Sequence, residues 1–413
     1  QMCIRDRLNA NSTISGASAI TFTGNLTDTL SGNTTLTVSS TGLTTFGNVT
    51  LASDAVASTF TLAGTGNVTI GGVISEGAAT GTSLLKSNTG TVTLSGNNTY
   101  TGTTTLTGGT TIAGSDTAFG SGTLVLNAGT LQANSTRTLA NPVSLNANST
   151  ISGASAISFT GNLTDTLSGN TTLTVSSTAL TTFGNVTLAS NAVASTFTLA
   201  GTGNVTIGGV ISEGAATGTS LLKSNTGTVT LSGNNTYSGG TTLSTGTLAV
   251  GNANALGTGT LALNGGTLQG DGTDRTLANN VNLTANSTIA GSSNLTLGGT
   301  FTHAGTNLTL TVNNSATTTL SGDVALSNNA TAHILTVTGT GNTTIGGNIS
   351  NGSTSVSGIT KAGSGTLSLS GTNNFTGAVA VSNGTLALSG GAALDDTVNL
   401  TLSATGALTL NAS

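Results

Sequence analysis

Residues 8–106 of the 413-residue chain are written a second time at residues 145–243, 137 positions later. The two stretches differ at Thr21/Ser158, Gly42/Ala179, Asp54/Asn191, Thr101/Ser238 and Thr103/Gly240 and nowhere else. A third, diverged copy opens at Leu283 with LTANSTIAGSS, and its GNTTIGGNIS at Gly341 echoes GNVTIGGVIS at Gly66 and Gly203. One extra residue is absorbed near Asp274, where a loop is the natural place for it. A unit of this size can be copied beside itself without rewriting its neighbours only where each layer touches the next one alone.

A finer period runs inside the long one. NVTLAS, TFTLAG, NVTIGG, TVTLSG and GTLVLNAG recur at steps of roughly 8–12 residues, separated by Gly, Asn or Ser-Gly, which is strand-and-turn punctuation. In TVTLSG, Val92 and Leu94 share one side of a strand, and Thr91, Thr93 and Ser95 share the other. No segment offers a run of helix formers free of Gly, Ser, Thr and Asn. The short, even strands continue without a change of composition, which favours a solenoid over a sandwich or barrel. The predicted fold is therefore all-β: a single-stranded parallel β-helix, or β-solenoid, with essentially no α-helix.

With roughly 20–25 residues per coil, residues 8–413 are expected to form one continuous solenoid of about 17–20 coils. At roughly 4.8 Å per stacked strand this is about 80–95 Å long. The units run 8–144, 145–282 and 283–413, each of about six coils. Residues 1–7, QMCIRDR, hold the sole Met and the sole Cys and read as a non-native leader.

Charge is nearly absent. Only 5% of residues are Asp, Glu, Lys or Arg, against about a quarter in ordinary domains. The net charge of −5 has no basic stripe behind it, so a nucleic-acid partner is not expected. No apolar run reaches the roughly 18 residues of a membrane span. Cys3 stands alone, so stability is expected from packing and not from disulfides. The sequence shows neither a charged-then-apolar leader nor a closing set of amphipathic membrane strands, and reads as an internal piece of a longer protein.

GTLVLNAGTLQ (Gly122–Gln132), ALGTGTLALNGGTLQ (Ala255–Gln269), KSNTGTVTLSGNNTYSGGTTLSTGTLAVG (Lys223–Gly251) and KAGSGTLSLSGTNNFTG (from Lys361) resemble the autotransporter-associated β-strand repeat, the passenger-associated repeat of Gram-negative autotransporters. The resemblance implies a right-handed β-helix, secreted and displayed at the cell surface, with an outer-membrane translocator barrel as partner in a missing C-terminal part. It also implies that the repeats assist folding and export.

The few chemically capable residues each have a plain reading. Lys86, Lys223 and Lys361 hold equivalent places and read as solvated turn lysines, against a row of cations along one edge. Tyr100, Tyr237 and Phe375 are equivalent too; Phe in the third copy favours core or corner packing over sugar stacking. His303 and His333 are 30 residues apart with no cysteine or carboxylate cluster, too little for zinc. No EF-hand loop or GGxGxD array is present for calcium. Asp271/Asp274 and Asp395/Asp396 read as solvated turn pairs, and the acids Asp28, Asp54, Glu76 and Asp116 are scattered. The T-x-T units at Thr21–Thr23, Thr59–Thr61 and Thr91–Thr93 would suit an ice-binding ladder, but their spacings of 38 and 32 residues are irregular. No catalytic, cofactor-binding or metal residue is assigned, and no cofactor is expected. The expected function is a non-enzymatic surface passenger, stalk or adhesin, whose partner is a host or cell-surface protein or glycan. The alternatives are a polysaccharide-acting β-helix enzyme, which needs a carboxylate pair, and an ice-binding solenoid.

Overall fold

The computed structural model of the protein describes residues 6–390 and 392–411. Most of the segment read as a leader, Cys3 included, lies outside the described residues; Asp6–Leu8 pairs in parallel with Leu26–Asp28. Among the described residues there is no helix, and the strands are short and paired in parallel. Among the described residues the fold is that of a parallel β-solenoid, about 18 turns in all.

The chain divides into two compact units, Gln1–Thr206 with Gly214–Ala216 and Ile207–Glu213 with Thr217–Ser413. In the first unit one coil runs through Leu26–Asp28, Thr34–Val38 and Thr44–Phe46, and the next through Val49–Leu51, Thr59–Gly64 and Val68–Ile70. Leu26 pairs with Val49, Thr34 with Phe60 and Thr44 with Val68, so three sheets wall one interior. The second unit is built the same way: a coil through Ser287–Ala290, Leu295–Leu297 and Phe301–His303 is followed by one through Thr309–Val312, Thr318–Leu320 and Val324–Ala325. Hydrogen bonds from coil to coil join residues 19 apart at Ser115 and Gly96, and 27 apart at Ile334 and Asn307.

The alternation seen in the sequence becomes the core. Thr91–Leu94 buries Val92 and Leu94, and Thr34–Val38 buries Thr34, Leu36 and Val38. Leu36 stacks on Leu62, and Phe22 on Phe46 with ring centroids 5.0 Å apart. Each buried aliphatic side chain contributes about 1.5–3 kcal/mol. Threonine is not confined to the outside: Thr34, Thr44, Thr104, Thr171 and Thr181 start strands with their side chains inward.

The copied unit does not return to its own face. In the first unit Thr34–Val38 belongs to the sheet that also holds Leu163–Asp165, whereas its copy Thr171–Val175 pairs with Ser149–Ile151 in another sheet. The cause is local. The coils carrying Thr104–Leu106 with Thr110–Ala113, and Leu124–Asn127 with Thr130–Ala133, lay down strands in two sheets only. The sheet ending at Ile74–Glu76 has no strand there, and that side is taken up again at Arg137–Leu139. One copy thus spans six coils and one strand more. Equivalent residues therefore move on by a third of a turn. In the second unit Ser220–Lys223 and its copy Gly358–Lys361 likewise lie in different sheets.

Candidate functional site

The repeated lysines, asparagines and aromatics lie in the coils that lose a strand on one face. Lys86 ends the strand Ser83–Lys86 pointing inward and is 1% exposed; Lys223 and Lys361 are 0% and 2% exposed. The reading of these lysines as solvated is therefore corrected. Lys86 Nζ donates to the carbonyls of Asn88, of Gly90 at 3.1 Å and of Gly108 in the next coil. Lys223 Nζ donates to those of Asn225, of Gly227 at 2.8 Å and of Thr245 at 2.8 Å. Lys361 Nζ donates to Ala362, Gly363 and Asn383. Two successive corners turn their carbonyls toward one point, and the three hydrogens of an ammonium match such a cluster. Burial pushes the Lys86 and Lys223 ammonium groups down to about 8 and lowers that of Lys361. Within the second unit Lys223 and Lys361 lie in different sheets, so these two form no row.

The glycine that follows the outer carbonyl makes the room. Gly109, Gly246 and Gly384 have φ of 56°, 63° and 73°. A Cβ at Gly109 would lie 2.6 Å from Lys86 Nζ, and one at Gly384 2.8 Å from Lys361 Nζ.

Asparagine replaces the missing strand. Asn98 Oδ1 accepts from Ile74 N–H at 2.8 Å and Asn98 Nδ2 donates to Ala118 C=O at 2.6 Å, linking the coil below to the coil above. Asn235 does the same between Ile211 and Ala255, and Asn373 between Ile349 and Ala393. Asn141 ends the gap, donating to Gly120 and Gly122 at 3.1 and 2.7 Å. Beside Asn98, Tyr100 fills the interior, fully buried like Tyr237 and Phe375. Core packing, the expected reading, holds, and no ring is open to a sugar. Burial raises both tyrosine hydroxyls far above their usual range.

The acids serve corners. Asp28 Oδ1 accepts from Thr34 Oγ1 and Leu30 N–H, and Asp165 Oδ1 from Thr171 Oγ1 and Leu167 N–H, inside the solenoid. Glu76 accepts from Thr82 N–H and Thr101 Oγ1. Asp271 pairs with Arg275 at 2.9 Å, Asp274 accepts from Asn294, and Asp395 from Thr397. A trough of about 490 Å³ lined by Thr228, Ala249, Gln269 and Ser292 among others has Asp271 as its one acid, already taken by Arg275. A hollow of about 300 Å³ around Asn254 and Asn279 has none. Neither offers the two carboxyls of glycoside chemistry. Among the described residues no three His, Cys, Asp or Glu side chains converge as metal ligands.

Two arrangements escape sequence spacing. His303 and His333 are fully buried with ring centroids 5.3 Å apart. Threonines also align. Thr21, Thr45, Thr69 and Thr93 occupy one register position, and in the second unit Thr228, Thr247, Thr267, Thr288, Thr311 and Thr338 occupy another. The irregular spacing of T-x-T motifs arises because Thr59–Thr61 belongs to a different sheet.

The sequence profile of the passenger-associated-transport-repeat matches residues 84–113, 221–250 and 359–388, which contain the lysine, the strand-replacing asparagine, the aromatic and the positive-φ glycine in each copy. The chain carries three passenger-associated transport repeats. No curated protein and no solved structure matches it. The repeats and the solenoid fold are those of an autotransporter passenger scaffold, which implies a secreted or cell-surface protein of Gram-negative bacteria.

Proposed function

We propose that the chain is a structural passenger segment, a stalk or adhesin scaffold without enzymatic activity, anchored at the outer membrane through a translocator barrel, and that its repeats aid export and folding. Residues 8–413 act as one solenoid of three copies. One observation carries the reading: at each repeat the lysine and the asparagine are turned inward and used up on backbone partners, so the outer face of residues 84–113 and their copies is left mostly to hydroxyls, amides and small side chains. A repeat of this kind closes a corner on the coil before and the coil after it, which favours ordered growth of the solenoid from whichever end emerges first. The exposed partner is a protein or glycan on a host or neighbouring cell.

The test is surface display in a Gram-negative host, with the chain fused ahead of a translocator barrel. Wild type is expected at the surface and protease-resistant. A Lys86→Met/Lys223→Met/Lys361→Met variant is expected to be displayed several-fold less. Unchanged display of that variant removes the export role, and glycan cleavage by the purified chain removes the structural one.

An ice-binding face is the second reading, favoured by the six-threonine file from Thr228 to Thr338, whose rungs repeat every ~4.8 Å. Thermal hysteresis abolished by Thr267→Lys/Thr288→Lys supports it; no hysteresis in wild type ends it.

A further inference from the structure

We propose that His303 and His333 form an acid-labile latch: protonation of His303 opens the corner of the solenoid held between residues 304–308 and 326–333. The third copy alone carries it. His303 stands where the other copies have Asp28 and Asp165, in FTH against LTD, and His333 stands where they have Ser58 and Ser195.

The hydrogen bonds fix the protonation state. His303 Nδ1 lies 3.1 Å from the Leu326 carbonyl and so carries the hydrogen; Leu308 N–H donates to Nε2 at 2.9 Å, so Nε2 carries none. A second proton on Nε2 would confront the Leu308 N–H, donor against donor. His333 Nε2 donates to Asn329 Oδ1 at 3.2 Å, while its Nδ1 is buried without a partner. The backbone of His333 ties the next coil: its N–H reaches Ser357 Oγ at 3.1 Å, and its carbonyl accepts from Gly358 N–H at 2.9 Å. Expelling either ring therefore loosens two loops and the coil above them.

Nothing nearby stabilises an imidazolium. The strand Val281–Ala285 and the two loops bring no charged side chain apart from the histidines. Asp323, just before the strand Val324–Ala325, is exposed and accepts from Asn348 N–H. Lys361, on the strand Gly358–Lys361, is a cation engaged with carbonyls of its own. Burial first, and the neighbouring His333 in the same direction, hold His303 below its ordinary value of 6.5, with the Leu326 carbonyl acting against them. An unfolded or opened corner thus binds the proton first. Stability is complete above about pH 6.5 and is lost as pH falls below it, the opening constant growing up to about tenfold per pH unit. Asp165 has the opposite sign, its carboxyl being raised by burial, so acid does not loosen the equivalent corner in the first unit.

The experiment is backbone hydrogen exchange on the full chain at about pH 7.5 and about pH 5, corrected for intrinsic rates, with side-chain NMR of His303 alongside. Protection at Leu308 and across 326–333 is expected to fall at least tenfold in acid, while Leu167 keeps its protection. His303→Asp/His333→Ser rebuilds the corner of the other copies and is expected to abolish the acid loss. The proposal is overturned if wild-type protection is the same at both pH values, if both corners loosen together, if the loss persists in the variant, or if folded His303 titrates at or above 6.5. Should the variant not fold, the wild-type exchange and the titration decide.

Discussion

Tyr100 and Thr104 share a buried hydrogen bond, their hydroxyl oxygens 2.5 Å apart, and Thr104 Oγ1 donates to the Phe119 carbonyl at 3.1 Å. Tyr237 and Thr241 repeat the pair in the second copy. The third copy has Phe375 and Val379 in these places, so both hydroxyls vanish together. A buried donor without its acceptor costs about 1–3 kcal/mol, whereas removing both partners can be nearly neutral. Tyr100→Phe and Thr104→Val are each expected to destabilise by about 1 kcal/mol or more, and the double variant by less than their sum. A double-mutant cycle in urea measures the coupling; strict additivity would refute the pairing.

The lysines make a prediction with a definite sign. Lys223→Met removes the ammonium from three converging carbonyls; Asn225 keeps the Thr245 hydroxyl as donor and Gly227 keeps the Thr247 N–H, so a loss of about 1–3 kcal/mol is expected. In the folded chain Lys223 gives up its proton near 8, and in the unfolded chain near 10.5. Between these values the unfolded state binds more protons, so the stability of wild type should rise with pH across that window. Urea midpoints at about pH 7.5 and about pH 10 check this against a triple Lys→Met variant, in which the rise should be smaller. Amine-directed reagents should label these lysines only after unfolding.

The two-residue alternation at Val92 and Leu94 carried the fold in plain view, because strand pleat and burial share one period. Lys86 did not read correctly, since a lone charge is assigned to solvent unless its partners are known, and here they are backbone carbonyls that converge only when two corners stack. His303 and His333 meet because the intervening coil is widened by the loops at 304–308 and 326–333, which no fixed coil length anticipates. The shift of face required knowing that two coils lack a strand. The clue was present as an Asn two residues before the aromatic in every copy, at Asn98, Asn235 and Asn373, but an asparagine standing in for a strand looks like any turn residue.

Asn98 should therefore be among the costliest polar side chains to remove. Ala at this position strands Ile74 N–H and Ala118 C=O inside the solenoid. At about 1–3 kcal/mol for each buried orphan, a loss of about 2–4 kcal/mol is expected. Asp would keep the acceptor and lose the donor while burying a charge, and should be no better. Asn97, next to it and exposed, is the control, with Asn97→Ala within about 0.5 kcal/mol of wild type. Equal effects at the two positions in urea titrations would show that Asn98 bridges nothing.

Neighbouring glycines should respond in opposite ways. Gly108 gives its carbonyl to Lys86, but a Cβ there meets nothing within 4 Å, and the equivalent residues Thr245 and Asn383 already carry side chains. Gly108→Thr is expected to be neutral or slightly stabilising, since it restricts the unfolded chain without straining the folded one. Gly109 is glycine in all three copies, has φ of 56° and would press a Cβ to 2.6 Å from the Lys86 ammonium. Gly109→Ala combines left-handed strain with displacement of the cation and should cost about 1–3 kcal/mol. Combining it with Lys86→Met, which removes the ammonium but leaves the Gly90 carbonyl oxygen 2.5 Å from the Cβ, should cost somewhat less than the two separate losses together. A full sum would mean that the glycine answers to its backbone conformation and to the backbone of the coil below, and not to the ammonium beside it.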